Sequence, residues 1–569
     1  MPELQFKGKE FVYNYHLTVP FRPLLPDAGK SVGKPSLNGN LIIHGDNLHA
    51  LKALLPMYAG KVDCIFIDPP YNTGKESWRY NDNVNSPMMR EWLSTNPVNG
   101  EDMLRHDKWC AMMLPRLSLL YELLAEHGII FVTIDDNELY HLRLLMDEKF
   151  GDANWVGTIV WKNVTDNNPT NIAIEHEYIV CFAKSKSLIE KEWKSKVSDV
   201  KEVLIKVGRE LIEANQDDDA LRSAYTKWFR EHKPQLWPLD RYKYIDRNGI
   251  YTGSQSVHNP GREGYRYDVP HEVTGRPCKE PLMGYRFPWE TMKGLLEQKK
   301  ILFGDDENKI VELKVYAHEF EDKLPSVINL DGRVGSYELR EIFPEKTKVF
   351  DNPKPSQLLK QLFSFTVRQD GLVLDSFAGS GTTGHAILSL NVEDQGTRRF
   401  ILVEGEDYAD DLTRERVHRV VSGVANAADE ALKHGLGGSF TYCSLGEALD
   451  VDKILTGETL PDYLSVGAWL FHTATGEAFD AAKAKPKNWY LGESAAYHVW
   501  LVYRPELDFL KSADAALTLA LAEKIAKAKP AGKKHLVFAP AKYVPNSKLL
   551  PMGVEYAPLP FALYRIEKG

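Results

Sequence analysis

Apolar residues recur along this chain in two periods, and the alternation between them predicts an α/β domain. Largely apolar runs at 62–67, 129–134, 372–374 and 400–403 have the length and composition of strands buried on both faces. Residues 155–161 and 178–183 read as further strands, and 41–44 as a short one. Helical spacing fills the intervals. Asp46 suits the N-cap of a helix over 47–55. Leu114, Leu117, Leu120 and Leu124 share one face of a helix over 109–126 that ends at Gly128. The acidic stretch Asp135-Asp136-Asn137-Glu138 starts a third helix running to Phe150, and its carboxylates read as helix-start groups, not catalysts. Three of the strand-like runs end on an acid, at Asp68, Asp375 and Glu404. In α/β sheets that edge is where ligands bind.

The pattern changes at Lys184. Residues 184–233 are highly charged and helical in spacing, with an acidic knot at Asp217-Asp218-Asp219. Lys227, Arg230, Arg241, Lys243 and Arg247 then alternate with aromatics such as Trp228, Phe229, Tyr242 and Tyr244. Such interleaving holds phosphates and stacks on bases; a solvated helix and hairpin face has the same pattern. Residues 249–345, rich in glycine, proline and aromatics, read as a loop-rich and strand-rich module. Residues 1–39 lack a clean period and read as an arm or packing segment, and polar residues 75–99 as a lid or DNA-contact loop. After a linker at 434–438, residues 439–569 hold strand-like runs (468–471, 497–503, 535–538) and an Ala/Leu helix over 513–529, without a chemical constellation.

Composition adds bounds. A chain of 569 residues has room for two or three domains. No 18-residue apolar run or signal-like core is present, and the five cysteines form no CxxC pair. This argues against a disulfide framework or a zinc site and for a reducing cytoplasm. The net charge of −9 does not advertise nucleic-acid binding, so any phosphate contact requires a local basic surface.

The chemistry concentrates at Asp68-Pro69-Pro70-Tyr71. Prolines donate no amide hydrogens, so a stiff turn here offers a carboxylate, outward carbonyls and a flat ring. Together these would hold an exocyclic amino group on a planar base; a plain strand-ending Asp-Pro turn is the blander reading. Downstream, Asp375-Ser376-Phe377-Ala378-Gly379-Ser380-Gly381-Thr382-Thr383 joins a strand, an acid, a tight glycine turn and a helix start, with no GK[ST] to mark a triphosphate loop. Glu404, about 25 residues on, is placed to accept both hydroxyls of a ribose.

Asp68-Pro69-Pro70-Tyr71-Asn72-Thr73-Gly74, with Ile43 to Leu48 before it and the Asp375 loop far after it, resembles the DNA amino-methyltransferases of adenine N6 or cytosine N4. Catalytic motif first and cofactor loop last is the permuted order of the β class. The likeness covers most of residues 40–425 and is nearest to the modification (Mod) subunits of type III restriction–modification systems. It implies a circularly permuted Rossmann-like methyltransferase sheet with a C-terminal α+β domain. The expected divisions are an arm (1–39), a catalytic half (40–184), a target-recognition insertion (185–345), a cofactor half (346–434) and a dimerisation or docking domain (439–569). It implies S-adenosylmethionine as cofactor, held by Asp46, Lys354, Asp375, Phe377, Ala378, Gly379, Gly381, Thr382, Thr383 and Glu404. Lys354 is the candidate partner of its carboxylate. Asp68 and the Pro69 carbonyl would accept the amino hydrogens of a flipped base stacked on Tyr71. No metal is called for. Duplex DNA, a second copy of the chain and a separately encoded helicase–nuclease subunit are the implied partners. Asp68 favours adenine, since cytosine-N4 members commonly carry serine there. A cytosine-N4 enzyme, an RNA or protein-glutamine methyltransferase and an inactive DNA-binding scaffold are the competing readings.

Overall fold

The computed structural model describes residues 3–73, 104–164, 171–195, 199–233, 236, 239–259, 261–425, 427–449, 460–528 and 532–559. The loop expected at 75–99 lies outside them. The chain divides into two compact units, Met1–Lys191 with Pro325–Gly569, and Glu192–Leu324.

Ten strands build the sheet of the first unit: β1 (Leu24–Val32), β2 (Leu41–His44), β3 (Val62–Ile67), β4 (Leu124–Ile134), β5 (Trp155–Lys162), β6 (His176–Ala183), β7 (Val327–Asn329), β8 (Leu372–Asp375), β9 (Arg399–Glu404) and β10 (Phe440–Leu445). Their order is β1-β10-β2-β9-β8-β3-β4-β6-β5-β7. The run from β10 to β4 is parallel, and β6 lies antiparallel to both its neighbours. Parallel strands are covered on both faces, which is why β3, β8 and β9 read as largely apolar runs; Ile65, Ile67, Leu374 and Val403 have no exposure. β3 and β8 pair directly, Cys64 with Val373 and Ile65 with Leu374, although distant in sequence. Helices α1 (Asn47–Tyr58), α2 (Arg105–Leu123), α3 (Leu139–Phe150), α4 (Arg333–Ile342), α5 (Ser356–Thr366), α6 (Thr382–Asp394) and α7 (Glu415–Ser422) complete this framework.

Several elements differ from the sequence reading. The arm at 1–39 contains an edge strand. Pro26 and Gly29 break the alternation of β1 and its register shifts between Asp27 and Val32, yet it pairs antiparallel with β10. Because β10 begins at Phe440 and also pairs with β2, the segment after 439 starts inside the main sheet. The run 468–471 is not a strand but part of the helix Tyr463–Thr475, capped by Asp462, whose carboxylate accepts from the Leu464 and Ser465 amides. That helix buries Val466, Leu470 and Phe471 in the same core as α1, and Trp469 stacks on Phe21 with centroids 6.3 Å apart. A second, four-stranded sheet follows: Tyr490–Glu493, Tyr497–Leu501, Lys534–Ala539 and Val554–Pro558. The helix expected over 513–529 starts at Leu519 and is described to Ala528. The helix expected to reach 126 stops at Leu123, where β4 begins.

The inserted unit is shorter than 185–345, because β7 returns to the main sheet beside β5. It contains helices Asp199–Ala214 and Asp218–His232 and a sheet of Ile301–Leu302, Glu312–Tyr316, Gly249–Ser254 and Tyr244–Asp246. Leu221, Tyr225, Phe229, Tyr242 and Ile245 form one of its cores.

Candidate active site at the edge of the sheet

The parallel register brings the ends of β2, β9, β8 and β3 to one edge of the sheet, so Asp46, Glu404, Asp375 and Asp68 arrive there from four separate parts of the sequence. At the end of β3, Asp68 is partly exposed, with 27% of its side chain accessible. One of its oxygens accepts from the Thr133 hydroxyl at the end of β4, and the other lies 3.0 Å from Lys354 Nζ. Lys354 also reaches Glu177 Oε2 at 3.4 Å and sits 4.9 Å above the Tyr71 ring. Glu177, from β6, further accepts from the Tyr71 hydroxyl at 2.8 Å and from Asn163 Nδ2 at 2.7 Å. Two carboxylates thus share one ammonium in a mostly buried pocket. Burial pulls the lysine down, but Asp68 and Glu177 outweigh it and hold Lys354 above its usual pKa. Burial, then Asp68 and Glu177, raise the Tyr71 phenol well above its ordinary range, so it stays a donor.

The resemblance assigns Lys354 to the cofactor; the structure pairs it with the acid of the Asp68 turn and with Glu177, two clustered carboxylates that need a cation. The Pro70 carbonyl is also not free to face a ligand: it accepts from Nε1 of the fully buried Trp109 at 2.7 Å, which anchors the turn to α2. Asn72, in the left-handed region at φ 60°, donates its side-chain amide to Glu138. Glu138 was expected to serve the start of α3. Its carboxylate is instead wholly buried, 2.7 Å from Nδ1 of both His106 and His141.

Beside this turn, the loop after β8 folds around its acid. Asp375 accepts from the Phe377 amide at 3.0 Å and from the Thr383 hydroxyl at 2.5 Å. Burial raises it to about 7, against those hydrogen bonds. Gly379 and Gly381 both need left-handed backbone, at φ 51° and 80°. A Cβ at Gly379 would stand 3.4 Å from the Phe350 ring, which meets Tyr408 edge-on with centroids 5.5 Å apart. Glu404 accepts from the Gly379 amide at 2.7 Å and from the Glu406 amide at 3.0 Å, and burial raises its pKa. Asp46 does cap α1, accepting from the His49 amide at 3.1 Å, and Arg116 lies 3.5 Å from its second oxygen. Asn47 ties the two halves together, donating to the Ser376 carbonyl at 3.1 Å while accepting from Arg116 at 2.6 Å. Behind the loop the buried Arg416 donates to Ser380 Oγ, Thr382 Oγ1 and Glu338.

Glu177, Thr133, Asn163 and Arg416 had no motif to mark them. For the first three, the one sequence signal was a polar residue within or beside an apolar run; Arg416 lies in a charged stretch and had none. In the inserted unit, Lys227, Arg230, Arg241 and Lys243 are exposed, and Lys227 and Arg230 line one shallow depression with Arg222 and Glu231. Arg247 is exposed as well, and its guanidinium donates to Asp218 and to the carbonyls of Asn215 and Gln216, closing the turn between two helices. Tyr225, Phe229 and Tyr242 are core residues and not a stacking surface.

Residues 62–415 match the N6/N4 DNA methylase family. The chain is 49% identical over 406 residues to the type III restriction-modification enzyme EcoP15I Mod subunit of Escherichia coli, covering 70% of this chain and 60% of that protein. It is 29% identical to the StyLTI Mod subunit of Salmonella typhimurium, covering 89% and 77%. It is 28% identical to the type II methyltransferase M.KpnI of Klebsiella pneumoniae, covering 66% and 83%.

Proposed function

Because this chain belongs to the N6/N4 DNA methylase family, we propose that it is a site-specific DNA methyltransferase that acts on adenine N6 in duplex DNA. The observation that carries this reading is the placement of Asp68 and Tyr71 in the turn that follows β3, whose neighbouring strand β8 leads into the glycine loop framed by Asp375 and Glu404. S-adenosylmethionine, when bound, supplies an electrophilic methyl group on a sulfonium. The residues fit it. Gly379 leaves open a cradle that a side chain would fill against Phe350, and Glu404 keeps unused lone pairs beside it for ribose hydroxyls. Asp46, Phe377, Ala378, Gly381, Thr382 and Thr383 complete its surroundings.

The amino nitrogen of adenine is a weak nucleophile because its lone pair is delocalised into the ring. Asp68 and the Pro69 carbonyl accept its two hydrogens and draw the nitrogen out of the ring plane. Thr133 and Lys354 hold the Asp68 carboxylate in position for this. Tyr71, fixed through its hydroxyl on Glu177, stacks on the base once it has left the duplex. Lys227, Arg230, Arg241 and Lys243 contact phosphates.

The chain spans 60% of the length of the EcoP15I Mod subunit. By likeness to the Mod subunits, it works in a restriction–modification system in the cytoplasm, as a homodimer, with a separately encoded helicase–nuclease subunit. Among the described residues no helix is long and apolar enough to cross a membrane. The test is nucleoside mass spectrometry of DNA methylated by the purified chain. N6-methyladenine is expected; N4-methylcytosine alone would overturn the base assignment. Asp68→Ala should lower methylation by about 100-fold or more while leaving S-adenosylmethionine affinity nearly unchanged. Substantial turnover by the mutant would remove Asp68 from its role. Light scattering with and without DNA tests the dimer.

A further inference from the structure

The His106–Glu138–His141 cluster is not used by the reaction above, although it abuts the catalytic turn through Asn72. Glu138 stands at the start of α3, His141 one turn into that helix, and His106 at the start of α2. The Glu138 side chain has no exposure, while His106 and His141 keep 35% and 34%. Each imidazole directs Nδ1 at a different carboxylate oxygen, both at 2.7 Å, and the ring centroids are 5.1 Å apart. Three ligand atoms from three residues therefore converge within 4.8 Å of one another.

From this geometry we propose that His106, Glu138 and His141 bind one divalent transition-metal ion. Two imidazole nitrogens and one carboxylate oxygen are a donor set suited to zinc or cobalt and poorly suited to magnesium or calcium. Zinc bonds of about 2.0–2.2 Å place tetrahedral ligand atoms roughly 3.5 Å apart, so the cluster needs little rearrangement. The one-third exposure of both rings gives an ion a route in and leaves room for a solvent ligand. Asn72 supplies the outer support that metal carboxylates need: its amide donates to Oε1, the oxygen shared with His106, and so fixes the carboxylate plane. In the metal-free state the same groups are joined by hydrogen bonds, which keeps the ligands clustered before an ion arrives. A bound ion makes that link permanent. It ties the first turns of α2 and α3 to Asn72, a left-handed residue immediately after Asp68-Pro69-Pro70-Tyr71. The ion is a clip beneath the catalytic turn, not a participant in chemistry.

The test uses the full chain, stripped with a chelator and titrated calorimetrically with Zn²⁺, and with Co²⁺ followed by its visible absorption. One equivalent should bind, with a cobalt spectrum of nitrogen–oxygen coordination. His106→Ala and His141→Ala should each weaken binding by about 100-fold or more. Both rings are partly exposed, so these variants should keep the wild-type far-ultraviolet dichroism; His141→Gln serves if the alanine variant does not fold. Zn²⁺ should raise the melting temperature of the stripped wild type and not that of the variants. The absence of saturable binding, or binding unchanged in both histidine variants, would overturn the site and leave a hydrogen-bonded cluster only. None of these readouts depends on methylation activity, so failure of this site and failure of the functional reading are separable.

Discussion

Replacing Lys354 with methionine removes the ammonium that Asp68 and Glu177 share while keeping the length and most of the volume of the side chain. The Lys354 side chain is 10% exposed, and those of Asp68 and Glu177 are 27% and 22% exposed. Breaking a fully buried ion pair by removing one partner costs about 3–5 kcal/mol. Solvent still reaches both carboxylates here, and Thr133, Tyr71 and Asn163 still donate to them. The expected loss is therefore smaller, about 2–3 kcal/mol. In a unit of this size that lowers the calorimetric melting temperature by about 2–3 °C. The sign with pH follows from the raised lysine pKa. Stability from a raised group is fully present below its unfolded pKa and is lost only as pH rises through the folded value. The deficit of Lys354→Met should thus be equal at pH 6 and pH 8. Adding Glu177→Gln should recover part of it, about 1 kcal/mol, because one of the two stranded charges is gone. A melting temperature for Lys354→Met within 1 °C of wild type, or a double mutant no better than the single, would refute the account of one cation serving two partly buried acids.

Gly379→Val forces a β-branched residue into left-handed backbone and puts its Cβ 3.4 Å from Phe350; S-adenosylmethionine binding by calorimetry should fall by about 100-fold or more in a folded protein, and unchanged affinity would mean the loop is misassigned. Asp375 is raised to about 7 by burial, so the ligand-free chain should lose stability from about pH 4 to pH 7, on the order of 4 kcal/mol in total, as protons are released that the folded state had retained. Asp375→Asn should flatten that slope in denaturant titrations across this pH range, and a slope identical to wild type would show that another group controls it.

The central strands and their terminal acids were legible because a strand buried on both faces is dominated by apolar residues, and in each case an acid stands where the apolar run stops. Asp68, Asp375 and Glu404 all stand out in this way. The glycine loop was legible because left-handed backbone restricts residue choice at 379 and 381. What was not legible depends on contacts between distant segments. The strand at Leu24–Val32 has Pro26, Asp27, Gly29 and Lys30 in it and exists because Phe440–Leu445 offers an edge. Glu177 lies at the polar start of β6, and nothing local distinguishes it from a solvated residue; only folding brings Tyr71, Asn163 and Lys354 to it. Glu138 shows the opposite failure. Acids favour helix starts, so the local rule was satisfied, and the side chain turned inward for a reason held 32 residues away in His106. The partners of Arg247 were likewise hidden, because charge is visible in a sequence and a partner carbonyl is not.

The pairing of β3 with β8 also has a consequence in time. The Leu372 amide donates to Asp63 across a separation of 309 residues. At about 5–20 residues per second, a ribosome needs roughly 15–60 s after making β3 to make its partner. Throughout that interval one edge of Val62–Ile67 has no strand beside it, while β4 and the inserted unit have already emerged. The newborn chain therefore carries an apolar, hydrogen-bond-hungry edge for far longer than a hairpin takes to close. Its yield in the cell should depend on holdase chaperones and on translation speed through residues 192–371 more than on the equilibrium stability of the finished protein.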